Sequence, residues 1–261
     1  MLSKLLKYDL RKNMRWLWII FVATIGVAGI TRGCKELAES IAFFKIIGII
    51  CDSIFYALAV NTILQPFLRG FFNFSKSFYS DESYLTHTLP VTKSQLVNSK
   101  CLTSLIEMVL GFFSLVISIL IMYASPTMLD TLKFIFSTIV SGSVSPVLVL
   151  VLLVLLLLIE FLMFLSIIYF SIVLAYREKE KRVLKTFLFT AIFAFSSMTV
   201  LSIVMVVMLL VNGVDLTATT LILSKPAFFG IIISGIVVYS LATIVFYLLT
   251  KKEFNKGVNV D

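Results

Sequence analysis

Three acidic residues stand inside long apolar stretches of this sequence: Asp52, Glu107 and Glu160. A carboxyl group in a membrane helix is expensive, and by default it marks a pathway, a proton or ion site, or a polar partner on a neighbouring helix. Glu160 is the strongest of the three. It sits near the middle of its stretch, flanked by Ile159 and Phe161. The competing reading is a carboxyl hydrogen-bonded to a Ser, Thr or Tyr of another helix.

Other chemistry has little to work with. His87 is the single histidine, and a zinc site needs several N, S or O ligands close together. No Gly-Lys dipeptide occurs, so the phosphate loop of ATPases is missing from this chain. Serines without a neighbouring base read as helix-packing residues. The chain is therefore read as a non-enzyme with no metal site and no cofactor of its own. Cys34, Cys51 and Cys101 lack C-x-x-C spacing and read as reduced, packed thiols.

The elements that would position the three acids are apolar helices. Hydrophobic residues make up 60% of the 261 and charged residues 14%, against about 45–50% and about 25% in soluble domains. Residues 16–31, 186–214 and 226–250 hold no charge. Residues 46–68 hold only Asp52, 102–129 only Glu107 and 134–176 only Glu160. A bilayer core needs about 20 such residues per helix. Backbone groups in lipid must be satisfied within the segment, and the alternation of a barrel strand is absent. Six spans follow, at about 16–31, 44–66, 101–123, 147–175, 187–211 and 226–249. The fold class expected is an all-α membrane protein, a single transmembrane domain over 1–261. A cleaved signal peptide is the rival reading of the first span, but no clear small-x-small cleavage site precedes Arg32 and Lys35, the basic segment before the span is long, and five more spans follow.

Six spans put both termini on one side, and Lys and Arg decide which. One side collects Lys4, Lys7, Arg11, Lys12, Arg15, Arg69, Lys76, Lys93, Lys100, Arg177, Lys179, Lys181, Arg182, Lys185, Lys251, Lys252 and Lys256, seventeen of the 22 basic residues. Arg32, Lys35, Lys45, Lys133 and Lys225 fall on the other. Both termini are thus expected in the cytoplasm. Asp52 then lies toward the outer side, and Glu107 near the cytoplasmic end of span 3, where its carboxyl can reach the interface. The net charge of +8 is spread over loop ends beside an anionic leaflet and forms no stripe for nucleic acid.

Residues 2–15 place Leu2, Leu5, Leu6, Leu10 and Met14 near one face and read as an amphipathic interfacial helix, in preference to an extension of span 1. Outer connections are short, and Leu132 to Val140 reads as a short helix dipping into the outer leaflet. The charged run Arg177-Glu178-Lys179-Glu180-Lys181 reads as a solvated face that prolongs the flanking helices. Spans 1–3 and 4–6 do not match in loop length, so inverted repeats are not expected.

Residues 66–100 are the informative loop. Pro66 can open a helical turn, and Phe67, Phe71, Phe74 and Phe78 recur at helical spacing. Ser80 can cap a short helix carrying Asp81 and Glu82 in its first turn, and Pro90 stops it. Thr92-Lys93-Ser94-Gln95 is a capping box for span 3.

The stretch Asp81-Glu82-Ser83-Tyr84-Leu85-Thr86-His87-Thr88-Leu89-Pro90-Val91-Thr92-Lys93-Ser94-Gln95-Leu96-Val97-Asn98-Ser99-Lys100 resembles the second-to-third helix junction of ABC-2 type transporter permeases. Leu85, Leu89, Pro90, Val91, Thr92 and Lys100 carry the pattern, while Thr86-His87-Thr88 departs from the Gly-Thr-Leu-Glu-type run of many members. The Tyr-Leu-Thr-His-Thr-Leu-Pro form is similar to permeases of Gram-positive bacteria that export peptides or antimicrobial compounds. The resemblance implies a coupling helix at 81–89, with Asp81, Glu82, Tyr84, Leu85, His87 and Leu89 meeting an ABC ATPase subunit. It also implies two ATPase copies holding ATP and Mg, a second permease chain in a homodimer or related heterodimer, and a place in the bacterial cytoplasmic membrane. A non-transporting membrane scaffold or immunity protein is the rival class. A channel is disfavoured, because no span carries a regular polar row.

Overall fold

Each long apolar stretch becomes one helix in the computed structural model, which describes residues 2–38, 41–79, 88, 91–123, 130–131, 134–135, 140–141, 145–177, 181–213 and 223–256. Among the described residues, six helices are long and apolar enough to cross a membrane. The chain divides into two units, Met1–Ser125 and Pro126–Asp261.

In the first unit α1 (Leu2–Ala38), α2 (Ala42–Tyr79) and α3 (Lys93–Tyr123) all pack on one another. The stripe that α1 buries is Asn13, Leu17, Phe21, Thr24, Ala28 and Thr31, a spacing of one helix face. Trp16, Trp18, Ile19 and Val22 stay exposed, as an apolar solvent permits. The stripe begins before residue 15. Residues 2–15 do not form a separate helix; they are the opening turns of α1. Neither Gly nor Pro interrupts the chain there, and Asn13 is already packed inward.

The second span also outruns its expected end. α2 continues through Pro66 to Tyr79, so Pro66 opens no new helix. It lacks the N–H that would bond the Thr62 carbonyl, and close neighbours tolerate this in membrane helices. The neighbour is α3 at Gly111: a Cβ there would meet the Thr62 oxygen at 3.0 Å. Thr62 and Thr24 also join hydroxyl to hydroxyl at 2.8 Å, and each has a carbonyl acceptor in its own helix at 2.8 Å. Each hydroxyl has one proton, so one of them gives up its carbonyl to make the cross-helix bond. Of the aromatic stripe, Phe74 and Phe78 are fully buried and stack edge to face.

The capping box forms as the sequence requires. Gln95 N–H donates to Thr92 Oγ1 at 3.3 Å, and Thr92 N–H donates to Gln95 Oε1 at 3.4 Å. It fixes the first turn of α3.

The second unit holds α4 (Pro146–Ala175), α5 (Arg182–Val211) and α6 (Lys225–Asn255). α4 packs chiefly on α6 and less on α5. Pro146 opens α4 at a position where no N–H is needed. Ser224 caps α6, its Oγ accepting from Ala227 N–H at 3.4 Å. Gly213 follows α5 at φ +67, the left-handed conformation that ends helices. Beside the helices, β1 (Val140–Ser141) and β2 (Leu223–Ser224) pair in parallel. Val140 is therefore in a strand and not at the end of a short helix; residues 134–135 are helical.

The run after α4 is not wholly a solvated face. Arg177 Nη1 pairs with Glu253 Oε2 of α6, and Arg177 Nη2 donates to the Glu253 carbonyl at 3.4 Å. Lys181 adopts a left-handed φ of 53 before α5 starts at Arg182; residues 178–180 lie outside the described residues.

Candidate functional site

The polar groups of the first unit gather at two levels. Near the start of α1, Asp9 Oδ1 lies 2.8 Å from Lys100 Nζ of α3, and Ser99 Oγ donates to Asp9 Oδ2 at 3.1 Å. Both charged side chains are largely buried, at 12% and 15% exposure. Two helical turns beyond Lys100 on α3, Glu107 is fully buried. Thr103 and Ser104 stand between them, donating back to the carbonyls of Ser99 and Lys100.

Neither oxygen of Glu107 has a hydrogen bond of good geometry. Asn13 of α1, Arg69 of α2 and Lys100 of α3 lie near enough to act favourably on its charge, and Asp9 opposes it. The expectation that Glu107 reaches an interface is overturned: its position on the α3 face that meets α1 and α2 closes it off. A buried carboxyl with incomplete partners is costly, and the two cations offset part of that cost. Asn13 and Asp9 were not singled out by sequence. The available signal was that Asp9 is the lone acid in a strongly basic opening segment.

At the opposite end of the unit, Lys35 Nζ lies 2.8 Å from Asp52 Oδ1. Lys35 also stands over the Tyr123 ring at 5.4 Å. The Tyr123 and Tyr56 hydroxyls are hydrogen-bonded. Arg32 donates to Glu36 at 3.0 Å and to the Ile121 carbonyl at 3.2 Å. Asp52 is thus a partner in a cross-helix ion pair. Cys34 and Cys51 face each other beside it.

In the second unit Glu160 is half-buried on α4, and the Tyr239 hydroxyl of α6 lies near enough to act on it. The surrounding cluster is Met163, Ile167 and Tyr239 with Leu156, Ile159 and Phe246. This is the alternative left open in the sequence, a carboxyl held by a Tyr on another helix. At the end of α6, Glu253 is shared by Arg177 and by Lys256, whose Nζ stands 2.6 Å from Oε1.

Compared with protein-family models, curated proteins and solved structures, the chain matches none.

The expected coupling residues Asp81, Glu82, Tyr84, Leu85, His87 and Leu89 lie outside the described residues. Their flanks are described. On one side α2 ends with Phe74 and Phe78 buried; on the other Thr92 and Gln95 start α3, with Leu96 and Val97 buried behind them. Among the described residues no group of three or more His, Cys, Asp or Glu is placed to hold a metal ion.

Proposed function

We propose that this chain is the membrane permease subunit of an ATP-binding cassette exporter, carrying an amphipathic peptide, an antimicrobial or another small hydrophobic substrate. A separate ATPase subunit, in two copies, supplies the energy, and a second permease chain completes the pathway. Both termini face the cytoplasm of a bacterium. The observation that carries this reading is the Asp81–Lys100 sequence, with its acidic start, its Leu85 and Leu89, its Pro90 stop and its Lys100.

The way α3 begins supports it. A push on residues 81–89 reaches α3 through the Thr92–Gln95 box, and α3 is tied to α1 by Lys100 and Asp9 one or two turns later. Tyr84, Leu85 and Leu89 are too few to build a core of their own, and a short amphipathic helix gains most in a partner's groove. Asp81 and Glu82 belong at the rim, where charge sets pairing more than affinity.

Replacing Tyr84 and Leu85 together by Ala releases the ATPase from the detergent-solubilised complex while the permease stays membrane-inserted. Replacing Arg177 does less. Full ATPase binding and full transport by the Tyr84/Leu85 variant would overturn the assignment. A native complex with no phosphate-loop ATPase in it would favour the non-transporting scaffold or immunity protein.

A further inference from the structure

Cys34 and Cys51 are separated by sixteen residues of sequence and have no motif between them. The fold brings them together. Three observations fix the contact. The Lys35–Asp52 ion pair at 2.8 Å sets the register of α1 against α2 at the residues immediately following the two cysteines. Gly48 stands one turn before Cys51, on the same face of α2, and a Cβ placed on it would lie 4.0 Å from the Cβ of Cys34. Cys34 therefore faces α2 at the level of Gly48, one turn from Cys51. The Cys51 thiol lies close enough to Cys34 for the two to act on one another. Both side chains are partly exposed, so a small reagent can reach them. Cys101 lies on α3, near the opposite end of the unit.

We propose that Cys34 and Cys51 are a disulfide-forming pair that ties α1 to α2 at their outer ends. The compartment follows from the orientation proposed above, since thiols persist in the cytoplasm and disulfides form outside it; the pairing itself does not depend on export. The oxidant is an external disulfide, small or carried by a protein. The thiolate of one cysteine attacks it, expels one thiol and leaves a mixed disulfide. The thiolate of the other then attacks the protein-bound sulfur, forms the Cys34–Cys51 bond and expels the second thiol. The two protons leave the protein thiols and end on the two expelled thiols, and two electrons reduce the external disulfide.

The test is a thiol count on the full chain in intact cells. Cells are acid-quenched, and free thiols are blocked with N-ethylmaleimide in denaturant at neutral pH. The protein is then reduced and tagged with a mass-adding maleimide. Wild type takes two tags, Cys101→Ser also takes two, and Cys34→Ser and Cys51→Ser take none. Reductant lowers the thermal midpoint of the purified wild type and leaves that of Cys34→Ser unchanged. Separately, purified reduced protein treated with oxidised glutathione loses two free thiols without forming a covalent dimer. Three blocked thiols in wild-type cells, with purified protein that also keeps all three under oxidised glutathione, overturn the proposal, as does a tag pattern that depends on Cys101 or a disulfide between two chains. A pair that closes in purified protein yet stays reduced in cells overturns the outer placement, a result distinct from any outcome at Tyr84 and Leu85.

Discussion

The backbone oxygen of Thr62 stands 3.0 Å from the point where a Cβ on Gly111 would lie. That oxygen is the one Pro66 deprives of its helical N–H partner. Gly111 leaves α3 without a side chain where this carbonyl approaches, so the proline and the glycine, on different helices, serve one contact.

Gly111→Ala is expected to lower stability by about 1–2 kcal/mol, the ordinary cost of overpacking, because a backbone oxygen cannot turn aside. Gly235→Ala is the control. Its Cβ would meet Leu156 Cδ1 at 2.9 Å, the far end of a flexible side chain. Thermal unfolding in detergent should therefore separate the two variants, with Gly111→Ala the lower. Equal midpoints would remove the special role of the Thr62 carbonyl.

The Asp9–Lys100 pair predicts an asymmetric double-mutant cycle. Removing one member of a buried pair strands the other charge and costs about 3–5 kcal/mol in a full interior. These side chains keep some exposure, so a loss of about 2–3 kcal/mol is expected for Asp9→Ala alone. Changing both, Asp9→Ala with Lys100→Met, should recover most of it. Additive losses would show that the two residues act independently.

Glu107 predicts the reverse sign. A fully buried carboxyl with incomplete partners costs stability, and an apolar residue of similar size often improves on it. Glu107→Met should raise the thermal midpoint and, under the proposed exporter function, reduce transport. A variant that is more stable and fully active would leave Glu107 without a function.

The Tyr239 contact makes Glu160 testable as a pair. Tyr239→Phe should cost no more than about 0.6 kcal/mol, the average for a hydrogen bond between membrane helices. Under the proposed exporter function, Glu160→Ala should lower transport while the complex still assembles, and Glu160→Gln should be milder, because an amide keeps much of the hydrogen-bonding capacity. Wild-type transport by Glu160→Ala would confine this residue to packing.

The sequence by itself determined the local features of this protein. Charge-free runs bounded by basic residues dictate long apolar helices, because a bilayer-length helix is read from composition along one segment. The Thr92–Gln95 box was legible for the same reason: a cap involves residues within one turn. What the tertiary structure decided is which polar side chains meet. The alliance of Asp9 with Lys100 and Ser99 joins residues some ninety positions apart, and Glu160 finds Tyr239 across two helices. Cys34 comes near Cys51 through the packing of α1 on α2, whose register the Lys35–Asp52 pair marks. Residues 2–15 looked interfacial because their amphipathic pattern fits a headgroup plane and a helix–helix seam equally well. Periodicity records which face is apolar; only packing records what covers it.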